Sequence, residues 1–439
     1  MLAFLLQITA LLDRGRLYLF AVFMLWIWLL WLLRVILAAQ YRPYTGTFTG
    51  TVSVVIPVVD EDPELFAEVL SRIVQSRPHE LVVVINGPRN PPLEAVCQRL
   101  GVRWAWTETP GKRNALRIGI GLTTGDVIVL VDSDTLWVST TLSELVKPFA
   151  DPRVGGVTTR QAIMQPGRNV LTRWADWLES VRCEYSMPAM SVLGTVGCLP
   201  GRTIAFRREV IERNLDRFLG ERFLGVFLEV SDDRTLTNYT LMDGYRTVYQ
   251  STSLVYTDAP TKLGKLIRQQ YRWARGSQYN TLRMLGWMLR NAPVLAVFYI
   301  SDIVVPFVLV GTFVSWGASI VYGHELELYA VLPLPAEPTL ALLVILGLSL
   351  LMTTLSAGVR FGRHFAYRPG DIAYLPIFMI INTFLLMPIR VVGFFRMAHN
   401  AGWGTRSGAY AGSRSFNAQG LVPYVVGGVM LTASVMVGV

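Results

Sequence analysis

Three short stretches carry residues whose types and spacing could do chemistry. The first is Asp132-Ser133-Asp134, which ends the apolar run Val127–Val131. Two carboxylates two residues apart, where a strand of a parallel sheet gives way to a loop, stand where open α/β sheets bind ligands. Their hard oxygen atoms suit Mg²⁺ or Mn²⁺, metals that share coordination with a substrate's phosphates. A plainer reading is a strand-end turn whose Asp caps the helix opening near Ser139 and Thr140. The second stretch, Ser231-Asp232-Asp233-Arg234, follows the apolar run 223–230 and opens a helix over 235–242. Ser231 or Asp232 is a natural N-cap, which leaves one carboxylate for general-base work. The third is Gly111-Lys112-Arg113-Asn114-Ala115-Leu116, which opens a helix with two cations. A helix N-terminus with Lys and Arg favours an anion such as a diphosphate. A merely solvated basic first turn is disfavoured by the helix dipole.

Two further stretches are less specific. Gly194–Arg202 is a glycine-rich loop leading into a strand over 203–206. Its glycines allow close backbone approach to a sugar or acceptor, and Arg202 lies at its end. Cys198 reads first as a packed thiol. Gln269-Gln270-Tyr271-Arg272-Trp273 lies in an amphipathic stretch, Lys262–Arg290. An indole can stack on a sugar ring while amides and a guanidinium bond hydroxyl and phosphate oxygens. A Trp placed at a membrane interface needs no such role.

The elements that must position these residues alternate between strand and helix. Strands are expected at 51–59, 81–85, 102–106 and 126–131, and helices at 63–76, 93–100 and 112–122. That is a Rossmann-like α/β half. No GxGxxG or P-loop accompanies it, which disfavours NAD and ATP. Val170–Met190 reads as one long helix with Trp174, Trp177 and Leu178 on a core-facing or membrane-facing stripe.

The ends of the chain are of another kind. Hydrophobic residues make up 52% of the 439 and mean hydropathy is +0.41, too apolar for an ordinary soluble enzyme. Segments 17–39, 294–320 and 340–359 are long enough to span a bilayer. Segment 421–439 is a shorter candidate, and 1–12, apolar but short, reads as an interfacial helix or a tight first span. The loop 322–338 carries Glu325, Glu327 and Glu337 and is placed outside. The basic groups Arg360, Arg363 and Arg368, then Arg396, Arg406 and Arg414, are placed inside. On that count 371–397, broken by Pro376 and Pro388, begins and ends on one face as an interfacial or re-entrant helix, with a full span as the runner-up. The net charge of +9 then addresses anionic headgroups of membrane lipids. No nucleic acid is expected, because no basic stripe stands apart from the membrane-flanking segments. The scattered Cys97, Cys183 and Cys198 read as reduced thiols. The domains expected are a membrane segment to residue 43, a cytosolic domain over 44–260, amphipathic helices over 261–293, and a transmembrane region from 294.

Taken in order, Val54-Val55-Ile56-Pro57, Gly111–Leu116, Asp132–Thr135, Asp232–Asn238, Gln269–Trp273 and Trp403-Gly404-Thr405-Arg406 resemble the processive membrane glycosyltransferases of family 2. The last two pieces look most like the hyaluronan and chitin-oligosaccharide branch, with cellulose synthases more distant. The resemblance implies a GT-A type Rossmann-like domain in the cytosol, embedded in an α-helical transmembrane region of the plasma (inner) membrane. It implies a UDP-sugar donor, a growing polysaccharide acceptor and Mg²⁺ or Mn²⁺. Lys112 would touch the diphosphate, Asp132 would face nucleotide and metal, and Asp134 would hold the metal. Asp233 would be the base, with Asp232 beside it. Gln269, Arg272 and Trp273 would form the acceptor and diphosphate site. Trp403, Thr405 and Arg406 would belong to a gating loop over 400–412. Pro57, Asn86, Arg113, Cys198, Arg202, Arg234 and Gln270 complete the expected substrate-binding set. Asn86-Gly87 stands where the family carries an acidic residue toward the uridine. The activity implied is inverting, processive transfer that extrudes a β-linked polymer, capsular or exopolysaccharide. A non-processive lipid-carrier glycosyltransferase and an inactive scaffold or transporter are the alternatives.

Overall fold

The computed structural model describes residues 19–321, 335–399 and 418–438. In chain order the elements begin with α1 (Leu19–Ala39), β1 (Val52–Val58), α2 (Pro63–Gln75), β2 (Glu80–Asn86), α3 (Pro91–Arg99) and β3 (Arg103–Thr107). There follow α4 (Lys112–Gly121), β4 (Val127–Val131), β5 (Leu136–Trp137), α5 (Thr141–Leu145), β6 (Val154–Ile163) and α6 (Val170–Val181). Next come α7 (Met187–Val192), β7 (Thr203–Arg207), α8 (Arg208–Leu219), a small hairpin of β8 (Arg222–Phe223) and β9 (Val226–Phe227), α9 (Asp232–Met242) and β10 (Arg246–Thr257). Seven helices close the list: α10 (Leu263–Asn291), α11 (Pro293–Val321), α12 (Pro338–Arg360), α13 (Gly362–Tyr367), α14 (Leu375–Ile380), α15 (Met387–Phe395) and α16 (Val422–Gly438).

The chain forms two compact units. Among the described residues, one comprises 35–296 with 397–399 and 418–420, and the other 19–34, 297–321, 335–396 and 421–438. Helix α10 therefore belongs with the sheet, beyond the boundary at 260 that the sequence suggests.

The first unit is built on an eight-stranded sheet in the order β3-β2-β1-β4-β7-β6-β10-β5. β1 pairs in parallel with β2 and β4. Their near-continuous apolar sequence follows from burial on both faces. Val54 and Ile56 face the core shared with Phe66, Val69, Leu70 and Ile73 of α2. On the other face α4 sits so close that a Cβ at Gly119 would lie 2.4 Å from Val55 Cγ1. α2 starts at Asp62, whose side chain accepts from the N–H groups of Glu64 and Leu65, with Pro63 in the first turn.

Beyond β4 the expected parallel order ends. β7 lies antiparallel between β4 and β6, and β6 pairs in parallel with β10. The sheet is mixed because the chain returns from the α6–α7 region against β4 rather than crossing over beside it. The long helix expected over 170–190 is continuous, running as α6, a π segment at Arg182–Ser186 and α7.

The second unit holds the apolar helices. With the end of α1 and the start of α11 included, five stretches among the described residues are long and apolar enough to cross a membrane: 22–39, 293–318, 338–360, 369–395 and 418–435. Trp26 Nε1 donates to Ser301 Oγ at 2.9 Å and Trp31 Nε1 to the Arg360 carbonyl at 3.0 Å. The stretch 369–395 runs 27 residues through α14, a π segment at Ile381–Leu386 and α15. Its two prolines stand in the first turns of α14 and α15. The π segment stands just before Pro388, and the helical path continues through it. Residues 1–12 lie outside the described residues.

The close packing of α4 is directly testable. Gly119→Val should lower stability by about 1–3 kcal/mol through overpacking, read as a lower thermal midpoint of the detergent-solubilised protein. Gly121→Ala, on the same helix with no atom within 4 Å, should leave the midpoint unchanged or raised.

Candidate active site

Three elements meet at the carboxyl end of β4. Gly111 precedes α4 with φ 124°, a conformation only glycine adopts without strain. Asn86, at the end of β2, fixes this turn: its side-chain oxygen accepts from Gly111 N at 3.3 Å, and its amide donates to the Val58 carbonyl at 3.1 Å. Asn86 is buried, and its amide bonds backbone at both ends. Lys112 then projects from the first turn of α4 and pairs with Asp132 at 2.6 Å. Burial works against its charge, yet Asp132, Asp232 and Asp233 outweigh that and raise its pKa above the usual lysine value. The ammonium is held charged, as anion binding requires.

Pro57, Lys112, Asp132, Gly201, Asp232 and Asp233 line one pocket, floored by Leu130, Ile204 and Leu236. Asp233 Oδ2 accepts from Gly201 N at 3.2 Å, and its other oxygen from Arg234 N at 2.8 Å. A Cβ at Gly201 would lie 3.7 Å from Lys112 Nζ and 3.8 Å from Asp233 Oδ2. The glycine-rich loop thus lets cation and carboxylate converge. Burial raises the Asp233 pKa above the ordinary carboxylate value, and Asp232 adds to this against the opposing pull of Lys112 and the two N–H groups. A half-buried carboxylate with a raised pKa is a stronger base than a free one.

The neighbours of Asp233 have other work. Ser231 occupies the N-cap position with φ 70° and makes no side-chain cap bond, so the expected hydroxyl cap is absent. Asp232 turns inward to Arg113 Nε at 2.6 Å. Arg113 is 1% exposed and bonds Glu221 at 2.7 Å and the Phe218 carbonyl at 2.5 Å. It holds protein, not substrate. Arg234 is likewise buried, donating to Ser277 Oγ at 2.7 Å and Thr281 Oγ1 at 2.8 Å of α10. These bonds engage Asp232, Arg113 and Arg234 with protein groups, while Asp232 also stands in the pocket lining beside Asp233.

Beside the pocket, Trp273 is 40% exposed, and the Arg202 guanidinium lies 5.9 Å from its ring centre. Arg202 is anchored by Gln161 and by Glu179 at 2.6 Å. Gln269, Gln270 and Arg272 are half-buried on the same helix, α10. Gln161, Glu179, Glu221, Tyr279 and Arg283 escaped the sequence reading. Each is a single polar residue with no motif around it; Glu179 falls in the long helix expected over 170–190, and Tyr279 and Arg283 in the amphipathic stretch Lys262–Arg290. Asp134 is half-buried on the loop after β4. With Asp132 it offers only hard oxygen donors, a set that fits a divalent cation such as Mg²⁺ or Mn²⁺. Trp403, Thr405 and Arg406 lie outside the described residues.

Cys198 is near the pocket, but burial pushes its thiol up to about 12, with Asp233 adding to the rise. Cys97 is pushed to about 11 and Cys183 is also raised, both chiefly by burial. Thiolate is the reactive form. Iodoacetamide at neutral pH should therefore label the three cysteines of the native protein far more slowly than those of the denatured chain, by mass spectrometry. Comparable rates would contradict this placement.

Residues 49–276 match the profile described as glycosyltransferase-like family 2. A hyaluronan synthase of Streptococcus pyogenes is 29% identical over 384 residues, spanning 84% of this chain and 87% of that protein. An N-acetylglucosaminyltransferase of Rhizobium meliloti is 32% identical over 259 residues, spanning 56% and 60%. Among solved structures, the mannosyltransferase of Pyrobaculum calidifontis, in complex with GDP-Man and Mn²⁺, shares the fold. Its TM-score is 0.52 at 19% identity, and the match covers 84% of this chain and 97% of that one. With the profile running from β1 into α10 across the whole sheet and its pocket, this chain belongs to the glycosyltransferase-like family 2.

Proposed function

We propose that this glycosyltransferase is a processive, inverting polysaccharide synthase of a cell's plasma membrane, with its sheet domain in the cytosol. The observation that carries the reading is the convergence of Lys112 and Asp233 on Gly201, in a pocket that also holds Asp132. The hyaluronan synthase and N-acetylglucosaminyltransferase relatives support a UDP-sugar as donor and a growing saccharide as acceptor.

Asp233 takes the proton from the acceptor hydroxyl. That oxygen forms its bond to the anomeric carbon as the bond to the nucleoside diphosphate breaks, so configuration inverts in one displacement. Lys112 stabilises charge developing on the leaving diphosphate. Asp132 and Asp134 would hold Mg²⁺ or Mn²⁺, which supplies further neutralisation of the diphosphate. Trp273 offers an exposed ring for the acceptor sugar, oriented by Arg202. The apolar helices support a setting among membrane lipids, and transfer of the product across the bilayer belongs to the same reading.

Full-length protein in membranes, given UDP-sugars singly and in pairs, should release UDP and build long polymer. A single glycolipid as the product would overturn processivity. Asp233→Asn should lower turnover by roughly 10²–10⁴-fold, the usual contribution of a general base. Unchanged polymer yield from that variant would remove Asp233 from its role. The pH profile follows from the raised pKa of Asp233. Acidification protonates the base, so turnover should fall as pH drops through a value above the ordinary aspartate range of about 4. Chelation of divalent cations should abolish UDP release, and Mn²⁺ or Mg²⁺ should restore it.

A further inference from the structure

Behind the pocket lies a buried charge network that sets the rotation of α9. Arg113 sends its donors to three places: Asp232 on α9, Glu221 on the turn after α8, and the Phe218 carbonyl at the end of α8. Glu221 is fully enclosed. It also accepts from Thr235 Oγ1 at 2.9 Å on α9, from Tyr279 at 3.4 Å and from Arg283, both on α10. One turn is thereby gripped on two sides. Asp232 and Thr235 are drawn toward Arg113 and Glu221, while Arg234 is drawn toward Ser277 and Thr281. Asp233 lies between these grips, and the direction left to it is the pocket. The close passage of α10 tightens the arrangement: a Cβ at Gly276 would lie 2.7 Å from Ser231 Cβ.

We infer that Arg113 and Glu221 are positioning residues for the transfer reaction: they engage Asp232 and fix the turn of α9, so that of the two carboxylates lining the pocket Asp233 is the one left to take the proton. Neither touches substrate. The inference rests on the reading of Asp233 as the base. Without Arg113, Asp232 has no buried cation and turns toward Lys112. Asp233 then loses its fixed direction relative to the acceptor hydroxyl.

The experiment compares Arg113→Met with Arg113→Lys, and Asp232→Leu with Asp232→Asn, in the full-length protein. Two quantities are measured: UDP-binding sites per protein, by titration with labelled UDP and Mn²⁺, and turnover per UDP site. Counting sites removes misfolded molecules from the comparison. In Arg113→Met and Asp232→Leu, UDP affinity should stay within about threefold while turnover per site falls roughly 10²-fold, the cost of about 1 Å of misplacement. Lys still reaches one carboxylate, and the Asn oxygen still accepts from Arg113, so both conservative variants should be at least about tenfold faster than their partners. Turnover per site near wild type in Arg113→Met or Asp232→Leu overturns the inference. If Arg113→Met has no UDP sites, the Asp232 pair decides, because Glu221 still neutralises Arg113 there. Loss of UDP sites in Asp232→Leu with retention in Asp232→Asn would mean a role in folding alone, and the inference fails. Wild-type protein that turns over no UDP-sugar would instead refute the proposed function.

Discussion

The fold around the pocket depends on the buried guanidinium of Arg113. Moving a guanidinium and two carboxylates out of water is expensive, and their mutual attraction offsets that cost only when the geometry is good and the charges are all engaged. Here Arg113 and Arg283 balance Asp232 and Glu221. Removing one partner strands a buried charge, which costs about 3–5 kcal/mol. The four residues therefore stand as a set. They come from α4, the turn after α8, α9 and α10, so the set ties together four elements distant in sequence.

That tie matters because the sheet alone does not build the pocket. The parallel half, β3-β2-β1-β4, brings Pro57 and Asp132 to one edge, and α4 adds Lys112. The remaining wall comes from an antiparallel return. β7 lies against β4 with Val131 opposite Thr203, which carries Gly201 and Arg202 to the edge where Asp132 begins. Gly201 N binds Asp233, and Arg202 leans over Trp273. One reversed strand thus joins the parallel half to α9 and α10.

Much of this was legible in the chain. The strand and helix alternation up to β4 was readable because doubly buried strands are continuous apolar runs and amphipathic helices repeat every 3.6 residues. The spans 22–39, 293–318 and 338–360 were readable because a bilayer demands length and apolarity and little else. Asp132, Lys112 and Asp233 stood out because a strand end, a helix start and a paired carboxylate are local features. Asn86, Arg113, Asp232 and Arg234 stood out for the same reason, while their buried partners did not. Beside a reactive group they carry the same local signal, and only the direction of each side chain separates ligand from scaffold.

The sequence by itself determined the classes of element, the membrane character and the residue types able to bind a diphosphate and accept a proton. These follow from periodicity, hydropathy and functional-group chemistry, which act over a few residues at a time. Tertiary structure decided which carboxylate of the Asp232-Asp233 pair is engaged by Arg113, that β7 runs antiparallel, and that Glu221 and Arg283 pack behind the site. Those outcomes are set by charge pairing and packing between segments distant in the chain, as between Arg113 and Asp232, 119 residues apart. No local pattern encodes them.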